Sequence, residues 1–202
     1  DLIKERLREQ AFLIKGLKIN LIDLRNNQKE SFKYDEGIKA YVGFLNKDKK
    51  VVNDTYVIEQ AYHLESKKKK VIEVDIAFQF THSYIESILS FVNNVRTRDG
   101  GTHETGFKSA LTRSINDYAR KYNLIKDKDP NLDGSDIREG LTAIISLRIP
   151  EDVLEFEGQT KGKLGTPEAV NATDNVVYEN MSTYLEEHRE VASSIINQSV
   201  SA

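Results

Sequence analysis

The chain has 202 residues, 39% of them hydrophobic and 30% charged, with a net charge of −3 at pH 7. That suits one domain or two small ones with a buried core, and it excludes a global basic field that would draw the whole chain onto nucleic acid. The absence of cysteine removes disulfides and thiolate metal sites and fits an intracellular protein, and no apolar run approaches the about 20 residues of a membrane helix.

The opening DLIKERLREQ is charged and amphipathic, unlike a signal peptide, and a start at Asp1 rather than Met suggests a piece of a longer protein. Leu2, Ile3, Leu7, Ala11, Leu13 and Ile14 recur at helical spacing, which predicts a helix over 2–15 ended by Gly16. KINLIDLR (18–25) alternates well enough to read as a strand, with a turn at NNQKE (26–30). Ile38, Tyr41, Val42 and Leu45 share one face of a helix over 36–47. TYVIEQAYHL (55–64) and VIEVDIAFQF (71–80) are β-rich and flank the lysine run 67–70, so they read as a hairpin. Its tip is either a solvated lysine run or a patch that tracks phosphates. SYIESILSFVNNV (83–95) reads as a strand.

After RTRDGG (96–101), Phe107, Ala110, Leu111, Ile115, Tyr118, Ala119 and Tyr122 mark an amphipathic helix. A polar loop (126–136) and a buried strand, LTAIISLRIP (141–150), follow. Thr166, Pro167 and Glu168 have the character of a helix start: a capping Thr, a first-turn Pro and an acid. One apolar face, including Val177, Met181, Tyr184, Leu185, Ala192 and Ile195, continues through most of 166–202. At roughly 1.5 Å per residue such a helix would project past a small domain. The fold class is α/β (α+β), a mixed sheet covered by helices on one side.

FEGQTKGKLGT (156–166) lies between the last strand and that helix. It is not a Walker A loop: three residues, not four, separate Gly158 from the Gly162–Lys163 pair, and Leu164 stands where a metal-binding hydroxyl is needed. In an extended loop Gln159 and Lys161 would point the same way. An amide donor and an ammonium would then meet the terminal phosphate of a nucleotide held by another domain, with glycines allowing close approach. The other reading is a solvated basic loop. Arg96 and Arg98 precede a double glycine at a helix start. That is either an anion site or a tight turn permitting close packing, with the arginines paired to Asp99 and Glu104. His103 has no spaced partner for a metal, and no GxSxG elbow is present.

RTRDGGTHETGFKSALTRSINDYARK, GSDIREGLTAIISLRIP and FEGQTKGKLGT, in that order and spacing, closely resemble the B subunits of bacterial type IIA DNA topoisomerases, DNA gyrase and topoisomerase IV. The resemblance covers essentially the whole chain. VRTRDGG and RIPEDVLEFEGQTKGKLGT look more like topoisomerase IV. It implies a transducer domain over 1–165 with a ribosomal protein S5 domain 2-like fold. Within it, the helix at 1–16 joins an ATP-binding subdomain that lies outside the chain. The long C-terminal helix over 166–202 leads toward a metal-binding Toprim domain, also outside.

In the family a QTK loop contacts the ATP γ-phosphate. Carried to this sequence, that gives Gln159 and Lys161 as nucleotide contacts, with Lys161 sensing the γ-phosphate and stabilising charge. Lys108 matches a basic position lining the cavity for transported DNA, and Arg96 and Arg98 join that lining. The resemblance implies ATP and Mg2+ for the full subunit, held mainly by other domains, with no metal site here and neither cofactor expected on this part alone. The family's general-base Glu, magnesium-holding Asn and adenine-reading loop have no match in the chain, so this part alone is expected to be inactive.

The implied partners are the ATP-binding subdomain and Toprim domain of the same subunit, the DNA-cleaving A subunit, double-stranded DNA, and a second copy of the full subunit when ATP binds. The resemblance further implies no membrane partner and a setting in the bacterial cytoplasm, at the nucleoid. The implied function is relay of nucleotide state to the DNA gate during strand passage, by decatenation and relaxation or, in gyrase, by negative supercoiling. A nucleic-acid-binding module unconnected to ATP is the alternative from a different class, and it predicts salt-sensitive binding.

Overall fold

The computed structural model describes residues 1–65 and 69–202. Helix α1 (Leu2–Leu13) starts with the Asp1 carboxylate accepting the Ile3 N–H at 3.2 Å, and its last turn buries Ala11, Phe12 and Leu13. Strands β1 (Ile19–Asp23) and β2 (Gln28–Phe32) form a separate antiparallel hairpin. The turn expected at 26–30 is shorter and earlier: Gln28, Lys29 and Glu30 already pair with Asp23, Ile22 and Leu21, and Asn27 adopts a left-handed φ of 53°.

Helix α2 (Ile38–Leu45) and α1 pack on one face of the main sheet. That sheet contains β3 (Tyr56–His63), β4 (Val71–Phe80), β5 (Ser87–Val92), β6 (Val95–Arg96) and β7 (Leu141–Arg148), in the order β3-β4-β7-β5-β6. Only the β5–β7 pair is parallel, so the sheet is mixed as expected. Lys67 and Lys68 of the lysine run lie outside the described residues, and Lys70 pairs with Asp152 at 2.7 Å.

Residues one apart on a strand face opposite sides. Ile72, Val74, Ile76, Phe78 and Phe80 of β4, with Leu141, Ala143, Ile145 and Leu147 of β7, enter the larger core. Ala77, Phe91 and Ile144 face the other way, against Phe12, Leu13, Ile38, Tyr41 and Val42. The sheet is therefore covered on both faces, not one. This is why every position of β7 from Leu141 to Leu147 is buried, Thr142 and Ser146 included.

The larger core is roofed by α3 (Thr102–Lys121) and α5 (Glu168–Glu187), with the short α4 (Gly134–Ile137) and α6 (Arg189–Ser201) beside them. Gly106 lets α3 and α5 approach closely: a Cβ there would lie 2.5 Å from the Val170 carbonyl oxygen. The C-terminal helix is present, interrupted once at His188 (φ −129°, ψ 62°). It does not project past the domain: Met181, Tyr184 and Leu185 before the break and Ala192, Ile195 and Ile196 after it all enter the same core.

Candidate functional site

The loop between β7 and α5 is held at its neck by backbone pairing. Leu164 is fully buried and bridges to Phe156; the Gly165 N–H donates to the Glu155 carbonyl and the Glu157 N–H to the Lys163 carbonyl, each at 2.9 Å. The Lys163 ammonium meets the Glu157 carboxylate at 2.9 Å across the same neck. Thr166 does not cap α5, which starts without a side-chain cap. Its buried hydroxyl instead accepts the Glu155 N–H at 2.9 Å, satisfying a backbone donor that the neck would otherwise leave unpaired.

A second anchor comes from the residues before α3. The Asp99 N–H donates to the Gly162 carbonyl at 2.8 Å, the Leu164 N–H to the Gly100 carbonyl at 3.0 Å, and the Thr102 N–H to the Leu164 carbonyl at 3.0 Å. Gly101, with φ 137° and ψ −161°, occupies a region essentially reserved for glycine. A Cβ there would lie 2.6 Å from the Leu164 nitrogen and 2.8 Å from its Cα. The double glycine is thus a close-packing device. The first N–H of α3, on Thr102, is used by Leu164 rather than offered to an anion.

Between the anchors, residues 158–162 bend and turn, with Gly158 at φ 76°. Gln159 and Lys161 therefore share the tip of a bent loop, not one side of an extended segment. Both are exposed, and among the described residues neither side chain has a hydrogen-bond or ion-pair partner. An amide and an ammonium presented this way fit the oxygens of a phosphate. Among the described residues no group of three or more His, Asp or Glu is placed to hold a metal.

Under the second anchor lies a buried polar chain that the sequence reading missed. His103 Nε2 is 2.9 Å from the Thr97 hydroxyl, which is 2.7 Å from the Ser90 hydroxyl, which donates to the Glu104 carboxylate at 2.6 Å. His103 has no exposed surface. Burial pushes its pKa down to about 4, against a smaller upward pull from the Gly101 backbone, so the ring is neutral at physiological pH. Among the described residues its Nδ1 has no partner at hydrogen-bond geometry. The available signal was a polar residue flanked by apolar ones inside a strand, Ser90 between Leu89 and Phe91 in SILSFV.

The three basic residues expected along a DNA cavity are not brought together. Arg96 is 3.8 Å from Glu9, lies over the Phe91 ring at 5.6 Å and, with Arg98, lines the groove between α1, α2 and β6. Lys108 lies 4.0 Å from Glu104 and lines a different groove with Thr112, Arg113 and Arg138. The pairing of Arg96 and Arg98 with Asp99 and Glu104, considered from sequence, is not present: Arg96 turns to Glu9, and Glu104 takes Ser90 and Lys108.

Residues 37–202 match the family model described as DNA gyrase B. The chain is 56% identical over 202 residues to the B subunit of DNA topoisomerase 4 from Bacillus subtilis (strain 168), and 53% identical over 204 residues to the one from Staphylococcus aureus. Each comparison covers all of this chain and 30% of the relative, so the chain spans under a third of their length. In structure it resembles the 43K ATPase domain of Thermus thermophilus gyrase B, solved with an aminocoumarin, with TM-score 0.83 and 36% identity over 98% of this chain and 51% of that one. The topoisomerase IV ATP-binding domain of Francisella tularensis, solved with a small-molecule inhibitor, shares the fold with TM-score 0.77 at 24% identity, over 98% of this chain and 51% of that one. With the family model matched over most of its length, the chain belongs to the DNA gyrase B family.

Proposed function

We propose that this chain is the transducer of a type IIA topoisomerase B subunit, of the topoisomerase IV kind, and that the loop bearing Gln159 and Lys161 reads the terminal phosphate of ATP held by another region of the subunit. The observation that carries this reading is the contrast within the loop. Its neck and side are fixed by backbone hydrogen bonds, while its two phosphate-matching side chains stay exposed and, among the described residues, unpartnered. A solvated basic turn needs no such double anchoring. Bound ATP supplies the γ-phosphate, whose presence or absence gives the loop a differential contact between states.

In this reading the Lys161 ammonium offsets charge on the phosphate and the Gln159 amide orients it. Once the phosphate departs, both lose their partner and the anchored loop is free to shift as a unit with the residues before α3. The core joining that segment to the sheet and to α5 carries the shift toward the DNA gate. ATP, Mg2+, a second copy of the subunit, the A subunit and duplex DNA are the cofactors and partners the role requires. Residues 1–165 would form the transducer, with 1–16 as its junction to the ATP-binding region and 166–202 leading toward the Toprim domain. Arg96, Arg98 and Lys108 would serve the passage of DNA from two separate grooves.

The full B subunit, reconstituted with its A subunit, is expected to unlink interlocked circles in an ATP-dependent manner and to introduce no negative supercoils. Net negative supercoiling would reassign the chain to the gyrase branch. No ATP-dependent strand passage by the active, assembled complex would overturn the role itself.

A further inference from the structure

We infer that Thr97 and His103 are positioning residues for the QTK loop, acting through a buried relay of hydroxyls that ties the loop's second anchor to strand β5. This rests on the reading that the loop meets the ATP γ-phosphate. Among the described residues the Gln159 and Lys161 side chains at the tip make no hydrogen bond or ion pair that would hold it, so its place is set by its anchors. The second anchor, 99–102, is in turn hung on Thr97: the Gly100 N–H donates to the Thr97 carbonyl at 3.1 Å, and the Thr97 N–H donates to the Ser90 carbonyl at 2.8 Å.

The side chains repeat this linkage beneath the backbone. Each hydroxyl has one proton to give. The arrangement that places one proton in each of the three contacts runs in one direction: His103 Nε2–H to Thr97, Thr97 to Ser90, and Ser90 to the Glu104 carboxylate. Thr97, Ser90 and His103 are each at most 2% exposed, and the relay ends on a carboxylate in the first turn of α3. A buried polar chain of this kind fixes geometry, because any partner that leaves its place strands an unpaired group. Ser90 lies in β5 opposite Ile145 of β7, so the relay connects the loop's seat to the middle of the sheet.

The test uses the full B subunit with its ATP-binding region and compares Thr97→Val, which removes the hydroxyl at nearly constant shape, with Thr97→Ser, which keeps it. Each is measured alone and with Lys161→Ala. Thr97→Val is expected to lower ATPase kcat roughly 10- to 100-fold, as misplacement of a reacting geometry does, with KM for ATP within about twofold. Thr97→Ser should stay near wild type, and Thr97→Val should add less than about twofold on top of Lys161→Ala, because both act through one contact. Ser90→Ala, which cuts the relay one hydroxyl further on, should follow Thr97→Val in direction.

The inference is overturned if Thr97→Val and Ser90→Ala lower only the unfolding midpoint and leave kcat unchanged, or if the loss from Thr97→Val is undiminished beside Lys161→Ala. An unchanged ATPase in the Lys161→Ala single variant removes the phosphate-sensing reading and this inference with it. A fall with Lys161→Ala beside a neutral Thr97→Val removes the inference alone.

Discussion

Replacing Lys161 by alanine in a B subunit that includes the ATP-binding region is expected to lower ATP hydrolysis by roughly 100- to 1000-fold, the typical cost of about 2.7–4 kcal/mol for losing one preorganised donor to a developing charge. Stability should hardly change. Lys161 is exposed and has no partner among the described residues, and surface substitutions of that kind usually stay within about 0.5 kcal/mol. Steady-state ATPase kinetics beside urea unfolding would separate the two effects. The expected pattern is a fall in kcat with the unfolding midpoint unmoved. Lys161→Arg is a useful companion: it keeps the charge but replaces a compact point donor with a planar fork, and should recover only part of the rate.

The second large effect is structural. Gly101→Ala should destabilise the chain by about 3 kcal/mol or more, because two penalties coincide. The glycine-only backbone region costs about 1–3 kcal/mol for any other residue. The added methyl would also press on the Leu164 backbone at 2.6–2.8 Å, where no flexible side chain can yield. Urea unfolding of Gly101→Ala measures it, with Gly43→Ala as control, since a Cβ at Gly43 in α2 meets nothing within 4 Å. If the protein relaxes by separating the two backbones, the hydrogen bonds from Leu164 to Gly100 and from Thr102 to Leu164 are lost and the loop leaves its seat. The variant would then lose ATPase activity as well as stability. Two alanine substitutions, one at the tip and one at the anchor, should thus part company in stability while agreeing in activity.

Much of the fold was legible because its signals are local. The period-2 run in VIEVDIAFQF gave β4, and the spacing from Phe107 to Tyr122 gave α3. The second covering layer escaped notice because β7 is a mainly apolar run in which Thr142 and Ser146 are themselves buried and mark no exposed face. Such a run announces burial without saying that Ile144 faces α2 while Ala143 and Ile145 face α3 and α5. The break at His188 escaped because it involves neither Gly nor Pro. The helix reopens where the ring of His188 stacks on Tyr184 at 4.2 Å and the apolar pattern continues on either side.

The site divides the same way. Gln159 and Lys161 were visible as residue types between glycines, and RTRDGG was visible as a turn. Their joining was not, because Asp99 meets Gly162, and Gly100 and Thr102 meet Leu164, through backbone atoms that carry no sequence signature. Thr166 illustrates the cost of local reasoning. Its place before Pro167 and Glu168 suits a helix cap, yet its hydroxyl is taken by Glu155 across the neck of the loop. A tertiary donor at the loop neck that would otherwise go unpaired outranks a cap that the first turn can do without.

The central claim, that Lys161 meets the terminal phosphate, is tested most directly by its own chemical reactivity. In the full B subunit, acylation of Lys161 by an amine-selective reagent would be followed by peptide mass spectrometry without nucleotide, with ADP, and with a non-hydrolysable ATP analogue. Lys163, paired with Glu157 at the neck, serves as the internal reference. The account predicts protection of Lys161 by the triphosphate alone, with Lys163 unchanged. Equal reactivity of Lys161 in all three states would contradict it.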